Sequence, residues 1–292
     1  MSICYATVDQ LFDEQPSPNE DGVTTATKQK MLEYGFEVTG KFHQFLGYDF
    51  APAIATKYRN VDQVWRNGRI QNDLLYLDEP LLATTSATLA DGTALIENTD
   101  YRLEPRGVTP AYALRMISAS YTWTAQSDAS NDITITGVWG WHDDYANAWI
   151  DSANTISEAL DTSETGITVT DSPGGATIQG LMPQFSPGNL IKIDNEYMTV
   201  IEVTISTNVL TVIRGSRGST AATHDIGAAI TVFKPTPAII RAAKKQTAFD
   251  LARAGQFTRV SFDGVRVTSV PDILPEVEQI LHSFSFLTLG GI

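Results

Sequence analysis

The sequence predicts an α+β protein: a helical bundle core with β-hairpins or a sheet, carrying an inserted small β-barrel or sandwich module. Three observations predict it. Residues 25–46 and 235–255 place apolar side chains at helical spacing. Between residues 50 and 141 the period changes to two. Residues 163–234 then hold at least five short strand-like pieces separated by turn residues, the pattern of a small barrel or sandwich.

In order, residues 1–22 read as an extended acidic arm. Pro16, Pro18 and Asn19 argue against packed structure there, although Val8, Leu11 and Phe12 suit docking on a partner. The helix at 25–46 follows, with Leu32, Gly35, Phe36, Thr39 and Phe42 on one face and Gly47 as its stop. Strands are expected at 54–59, 73–77, 82–89, 101–104, 113–117, 120–123 and 131–139, with Asp91-Gly92 as a turn. A short helix is expected at 146–160. Within the insert, 167–170, 190–193, 197–203, 209–214 and 229–233 read as strands. Ser172-Pro173-Gly174-Gly175, Ser186-Pro187-Gly188 and Asp194-Asn195 separate them. The chain therefore divides into the arm 1–22, a discontinuous core of 23–162 plus 235–292, and the inserted β-domain 163–234.

The helix after the insert has both ends marked. Thr236 is an N-cap, Pro237 occupies the first helical position where its missing N–H costs nothing, and Gly255 supplies a left-handed stop. Ile240, Ala243, Thr247, Leu251 and Ala254 share a face, flanked by Ile239, Ala242, Gln246, Phe249 and Arg253. The alanines let another helix, or another subunit, approach closely. A last hairpin is expected around Asp263-Gly264, a helix within 271–284, and an apolar tail from Phe284 to Ile292.

The formal net charge is −14. Residues 1–27 hold five carboxylates and no Lys or Arg, whereas 235–292 are nearly neutral. Binding nucleic acid by charge neutralisation needs clustered Lys and Arg, so the balance argues against it. A lining along which DNA slides without sticking remains compatible, as does plain solubility. Cys4 is the single cysteine, which rules out an intramolecular disulfide. Residues 1–13 lack the basic start and apolar run of a signal peptide, and no stretch is long and apolar enough for a membrane span. A cytoplasmic origin is expected.

Catalytic motifs are not apparent. His142-Asp143-Asp144 can be drawn as a divalent-ion site but reads better as a polar turn. Gly215-Ser216-Arg217-Gly218-Ser219-Thr220 lacks the lysine and following helix of a phosphate loop and reads as a hairpin turn. No cofactor, metal or catalytic residue is assigned.

Several pieces resemble the head–tail connector (adaptor) family of long-tailed phages. They are Asp73-Leu74-Leu75-Tyr76-Leu77-Asp78-Glu79-Pro80-Leu81, Ile133-Thr134-Ile135-Thr136-Gly137-Val138-Trp139-Gly140-Trp141, the helix through Ala243, Gln246 and Leu251, and Leu274-Pro275-Glu276-Val277. The insert resembles a β-module of phage structural proteins through Ile193-Asp194-Asn195-Glu196-Tyr197-Met198 and the run from Arg214 to His224. The resemblance implies a non-enzymatic virion protein of the neck. It implies a homo-oligomeric ring, twelve-fold in the usual case, joining the portal to tail-completion or other neck proteins while DNA passes through without specific binding. Ile239, Arg241, Lys245, Phe249 and Arg253 are the expected subunit contacts, and Phe284, Phe286, Leu287 and Leu289 the expected portal-docking tail. Family members often lack the insert, and the arm has no counterpart among them. A β-rich tail or glycan-binding protein is the alternative, with Trp139, Trp141 and Trp149 as its aromatic platform. A cell-wall hydrolase is a third reading, for which the chain shows no carboxylate pair.

Overall fold

Strands build two hydrophobic cores of the computed structural model, which describes residues 3–12, 25–59, 65–66, 69–70, 73–123, 133–172, 185–253 and 272–285. The chain divides into two units. One is Tyr48–Ala148 with Arg217–Ser219; the other is Met1–Gly47, Trp149–Ser216 and Thr220–Ile292.

The first unit holds β1 (Ala53–Arg59), β2 (Trp65–Arg66), β3 (Arg69–Ile70), β4 (Leu74–Thr88), β5 (Ala94–Leu95), β6 (Tyr101–Glu104), β7 (Ala111–Met116) and β8 (Ile133–Trp139). Its main sheet is antiparallel in the order β1-β8-β4-β7-β6, with β5 on β4; β2 and β3 pair separately. The alternation of Ile133, Ile135 and Trp139 inward with Thr134 and Thr136 between them is the half-buried strand pattern. β4 joins two stretches that read as separate strands. Its first half pairs with β7 and its second with β8, and the register shifts between Tyr76 and Leu81. Pro80, with no N–H to give a ladder, lies inside that irregular stretch. Leu81, Leu114, Ile135 and Trp139 sit at the centre of the core at 2 % exposure or less.

The second unit holds β9 (Trp149–Thr155), β10 (Gly166–Thr168), β11 (Leu190–Ile193), β12 (Glu196–Thr204), β13 (Val209–Ile213) and β14 (Ala229–Phe233). They form one antiparallel sheet in the order β10-β13-β12-β11-β14-β9. Its two edges meet. Ile156 bridges Val169, Ser157 N donates to Thr168 O at 2.8 Å, and Thr170 N to Thr155 O at 3.0 Å, so the sheet closes into a barrel. Ile191, Ile193, Met198, Val200, Leu210, Val212, Ile230 and Val232 fill it. Within it, β11-β12-β13 is a meander and β14 returns beside β11, which is a Greek key.

Four helices belong to the same unit: α1 (Val8–Phe12), α2 (Thr25–Leu46), α3 (Pro237–Arg253) and α4 (Pro275–His282). They pack on one another: α2 on α3, α3 on α4, α1 on both α2 and α3. α2 ends as expected, where Gly47 at φ +80 donates to His43 O. Ile239 N and Ile240 N both reach Thr236 O at the start of α3.

The architecture corrects several expectations. It is mostly β, with two six-stranded antiparallel sheets and four small helices, and not a helical bundle core. The helical stripes exist and bury side chains such as Phe42, Ile239 and Leu281, but the period-two stretches close two cores of their own. The stretch read as a helix at 146–160 contains β9, and the barrel therefore begins before residue 163. Residues 120–123 form no strand. The run from Gly215 to Thr220 does not turn a hairpin; it opens the crossover from β13 to β14. Residues 3–12, expected as part of an extended arm, are docked. Cys4 N donates to Gly188 O, Val8 N to Pro187 O, and Ile3, Tyr5, Val8, Leu11 and Phe12 are buried. Burying five such side chains yields roughly 1.5–3 kcal/mol each, enough to hold the segment in place. The remainder of the arm and the expected hairpin around Asp263-Gly264 lie outside the described residues.

Candidate functional site

The densest polar assembly among the described residues sits in the barrel, on the residues of the β-module signature. The β11–β12 turn at Asp194, which adopts φ +49, delivers Glu196 to the first position of β12. Arg214 directly follows β13, and the crossover that it opens returns His224 to the same place. The Glu196 carboxylate is fully enclosed and accepts five hydrogen bonds. Arg214 Nε and Gly215 N reach Oε1, each at 2.8 Å. Arg214 Nη2 at 2.9 Å, Ala222 N at 2.9 Å and His224 Nε2 at 3.0 Å reach Oε2. Arg214 also donates through Nη1 to Asp161 O and Glu164 O and through Nη2 to Ala222 O. The far nitrogen of His224, Nδ1, lies 2.7 Å from Asp194 Oδ2. Asp161 caps its own turn, accepting from Ser163 N and Glu164 N.

Burial opposes charge on Glu196, but Arg214, the Ala222 N–H, His224 and the Gly215 N–H outweigh it and hold the carboxyl down to about 2. It is ionised at any physiological pH. An imidazole between two carboxylates resembles part of a hydrolytic triad, yet the nearby hydroxyl is spent. Ser216 Oγ accepts from Thr199 Oγ1 at 3.0 Å and donates to Ile213 O at 2.9 Å, and Ser216 is 4 % exposed. With carboxylate, guanidinium and hydroxyl all enclosed and paired, the network clamps three loops: the β11–β12 turn, residues 161–164 and the crossover. Such a satisfied network specifies one arrangement of those loops.

The residues singled out by sequence fall elsewhere. On α3, Ile239 is fully buried, as are Ala242 and Ala243, so the alanine face packs within its own unit. Arg241 is exposed, and the half-buried Lys245 pairs with Glu276 of α4. Arg253 stacks on the half-buried Phe249 with its guanidinium 4.9 Å from the ring centroid. Phe284 is half-buried; Phe286, Leu287 and Leu289 lie outside the described residues. His142, Asp143 and Asp144 form a turn in which Asp144 N donates to His142 Nδ1 and Asn147 bonds the Asp144 carboxylate. No group of three or more His, Cys, Asp or Glu among the described residues could hold a metal ion. Of the three tryptophans of the expected platform, Trp139 is buried with Nε1 on Ala55 O, Trp141 is half-buried with Nε1 on Tyr112 Oη, and Trp149 packs between Tyr197 and Phe233.

Sequence reasoning missed a second polar junction. Lys41 of α2 lies 3.1 Å from both Asp250 of α3 and Asp272. Burial works against its charge, and the two carboxylates prevail and hold the ammonium above its ordinary range. The fully buried Gln246 donates to Asp250 Oδ1 and Asp272 O and accepts from Leu274 N, fixing the start of α4. Its polar character between Ala242 and Phe249 on the flanking stripe of α3 was the available signal. No described helix is long and apolar enough to cross a membrane. The sequence matches no protein-family model and no curated protein.

Proposed function

We propose that the chain is a structural head–tail connector of a tailed phage, a ring-forming neck protein without enzymatic turnover. The observation that carries the reading is the convergence of the β-module signature. Its two halves, around Glu196 and from Arg214 to His224, lie 18 or more residues apart and meet in one enclosed network. The signature thereby acts as a physical unit, which supports the reading. The mostly β architecture departs from the helical core the resemblance implies, so the reading rests on the module and on the order of the sequence pieces.

In this reading identical subunits close a ring, twelve-fold in the usual case, through heterologous contacts. The ring stands between the portal and a tail-completion or other neck protein, in the virion. Its acidity, net −14 per chain, faces a channel through which DNA passes, repelling phosphate over about 8 Å at physiological salt. The apolar tail from Phe284 onward docks on the portal. Electron microscopy of the purified protein, alone and with portal, tests the proposal: closed rings that bind portal are expected. Monomers that ignore portal and bind a glycan array would replace it with the receptor-binding alternative, which the β-rich architecture favours but the packed tryptophans do not.

A further inference from the structure

In the first unit, the end of β6 and the loop after it line a groove of about 330 Å³. That is the lower end of ligand-pocket sizes, enough for one or two side chains. Its wall combines Leu103, Pro105 and Val108 with the guanidiniums of Arg102 and Arg106 and one carboxylate, Glu97. Val108 is 56 % exposed, and Ile96, next to Glu97, is 63 % exposed. Large apolar side chains this open on the rim of a groove mark an interaction surface. The charges are not balanced within the groove. Arg102 Nε shares Glu104 with Arg115, Glu97 accepts from Thr84 Oγ1, and Arg106 has no hydrogen-bond or ion-pair partner among the described residues. A locally basic, apolar notch thus lies on a chain of net charge −14.

The same chain carries a complementary segment. Residues 13–21 read Asp-Glu-Gln-Pro-Ser-Pro-Asn-Glu-Asp: two carboxylate pairs flanking two prolines, with no Lys or Arg. Proline rings suit an apolar notch of side-chain size, and a Pro-spaced segment loses little entropy on binding. Carboxylates on either side find Arg102 and Arg106, and an unpaired guanidinium is the donor best suited to a carboxylate.

We propose that this groove receives residues 13–21 of a second copy of the chain, giving the subunit contact of a self-assembling ring. The inference rests on the ring reading and replaces the face of α3 as its principal contact. An arm given to one neighbour and a groove offered to the next is a heterologous arrangement, which makes a ring where the rotation between neighbours closes.

The test uses the full chain. A fluorescein-labelled peptide of residues 13–21 is titrated, by anisotropy, into protein carrying Asp13→Asn, Glu14→Gln, Glu20→Gln and Asp21→Asn, whose own segment no longer competes. Saturable binding that weakens with salt is expected, reduced at least tenfold by Arg106→Glu. The exposed position of Arg106 keeps that variant folded, with circular dichroism as control. In parallel, sedimentation velocity compares wild type, Arg106→Glu, the arm-neutralised chain, and Arg106→Glu combined with Asp13→Arg and Glu14→Arg. Loss of assembly in the second and third, with recovery in the fourth, is expected. A peptide that does not bind overturns the inference. Rings that persist with Arg106→Glu also overturn it while leaving the connector reading intact. A wild-type chain that stays monomeric at all concentrations removes both, even if the peptide binds.

Discussion

Replacing Arg214 by methionine removes a guanidinium from an enclosed charge pair while roughly keeping its volume. The Arg214 side chain is 6 % exposed and Glu196 is fully enclosed. The substitution deletes two of the five bonds to the carboxylate and strips the donor from the carbonyls of Asp161, Glu164 and Ala222. Breaking one side of a buried pair costs about 3–5 kcal/mol. The Glu196 carboxyl gives a figure for the whole set of donors, Arg214 first among them. Its fall from an ordinary 4.5 to about 2 corresponds to about 3 kcal/mol of preference for the charged form, at roughly 1.4 kcal/mol per pKa unit. For a body of this size such a loss lowers Tm by about 10 °C. The assay is urea and thermal unfolding at pH 7 for Arg214→Met, Glu196→Gln and the double variant. The double variant is expected to be clearly more stable than the sum of the singles, since a neutral amide no longer needs the guanidinium. The pH dependence has a definite sign. Glu196 is depressed in the folded state, so its contribution is complete above about 4.5 and disappears as pH falls through about 2. An Arg214→Met penalty below 1 kcal/mol at pH 7, or strict additivity of the two changes, would falsify the account of the network.

Gly35→Ala places a methyl 2.6 Å from Cys4 Sγ and should destabilise by about 1–3 kcal/mol; Cys4→Ala in the same chain should recover most of that, as read by thermal melts. Burial pushes the Cys4 thiol well above its ordinary range, so maleimide labelling at pH 8 should proceed only on the timescale of opening and accelerate in urea. Gln246→Leu leaves Leu274 N without its acceptor; a loss of about 1–3 kcal/mol is expected, with hydrogen exchange accelerating first across residues 274–278. Deleting 163–234 removes five of the barrel's six strands and the Ser186–Gly188 turn that holds residues 3–12, so circular dichroism should show loss of the helical signal as well.

The sequence exposed elements whose period is uninterrupted. Ile191 and Ile193, or Ile133 and Ile135, alternate cleanly, and Thr236-Pro237 announces α3. β9 escaped because its period is broken: Ala153 sits at φ +56, the register against β14 shifts between Ile230 and Thr231, and Ser152 and Asn154 are the buried positions. Polar residues facing inward look helical or irregular in a linear reading. β4 was split in two because Asp78-Glu79-Pro80 reads as a break. The candidate site was legible as letters but not as chemistry. Glu196 and Arg214 meet only because β12 and β13 pair, and His224 joins them only because the crossover passes over two strands, neither of which any local spacing encodes.

The chain enters the barrel along β9 and leaves it along β14, and these two strands are partners, with Trp149 opposite Phe233. Tension applied to the flanking chain at 148 and 234 therefore meets the barrel in unzipping geometry. The ladder yields one hydrogen-bonded pair at a time from the Trp149–Phe233 end, and not in shear across all of them at once. Such a stem gives way at low force. The Arg214–Glu196–His224 clamp lies beyond it, on strands the stem does not pull directly, so a tug strong enough to part β9 from β14 would still leave β11, β12 and β13 locked together. The barrel is thus built as a weak latch in front of a strong knot, and after the latch opens the knot remains as the template on which β14 re-pairs.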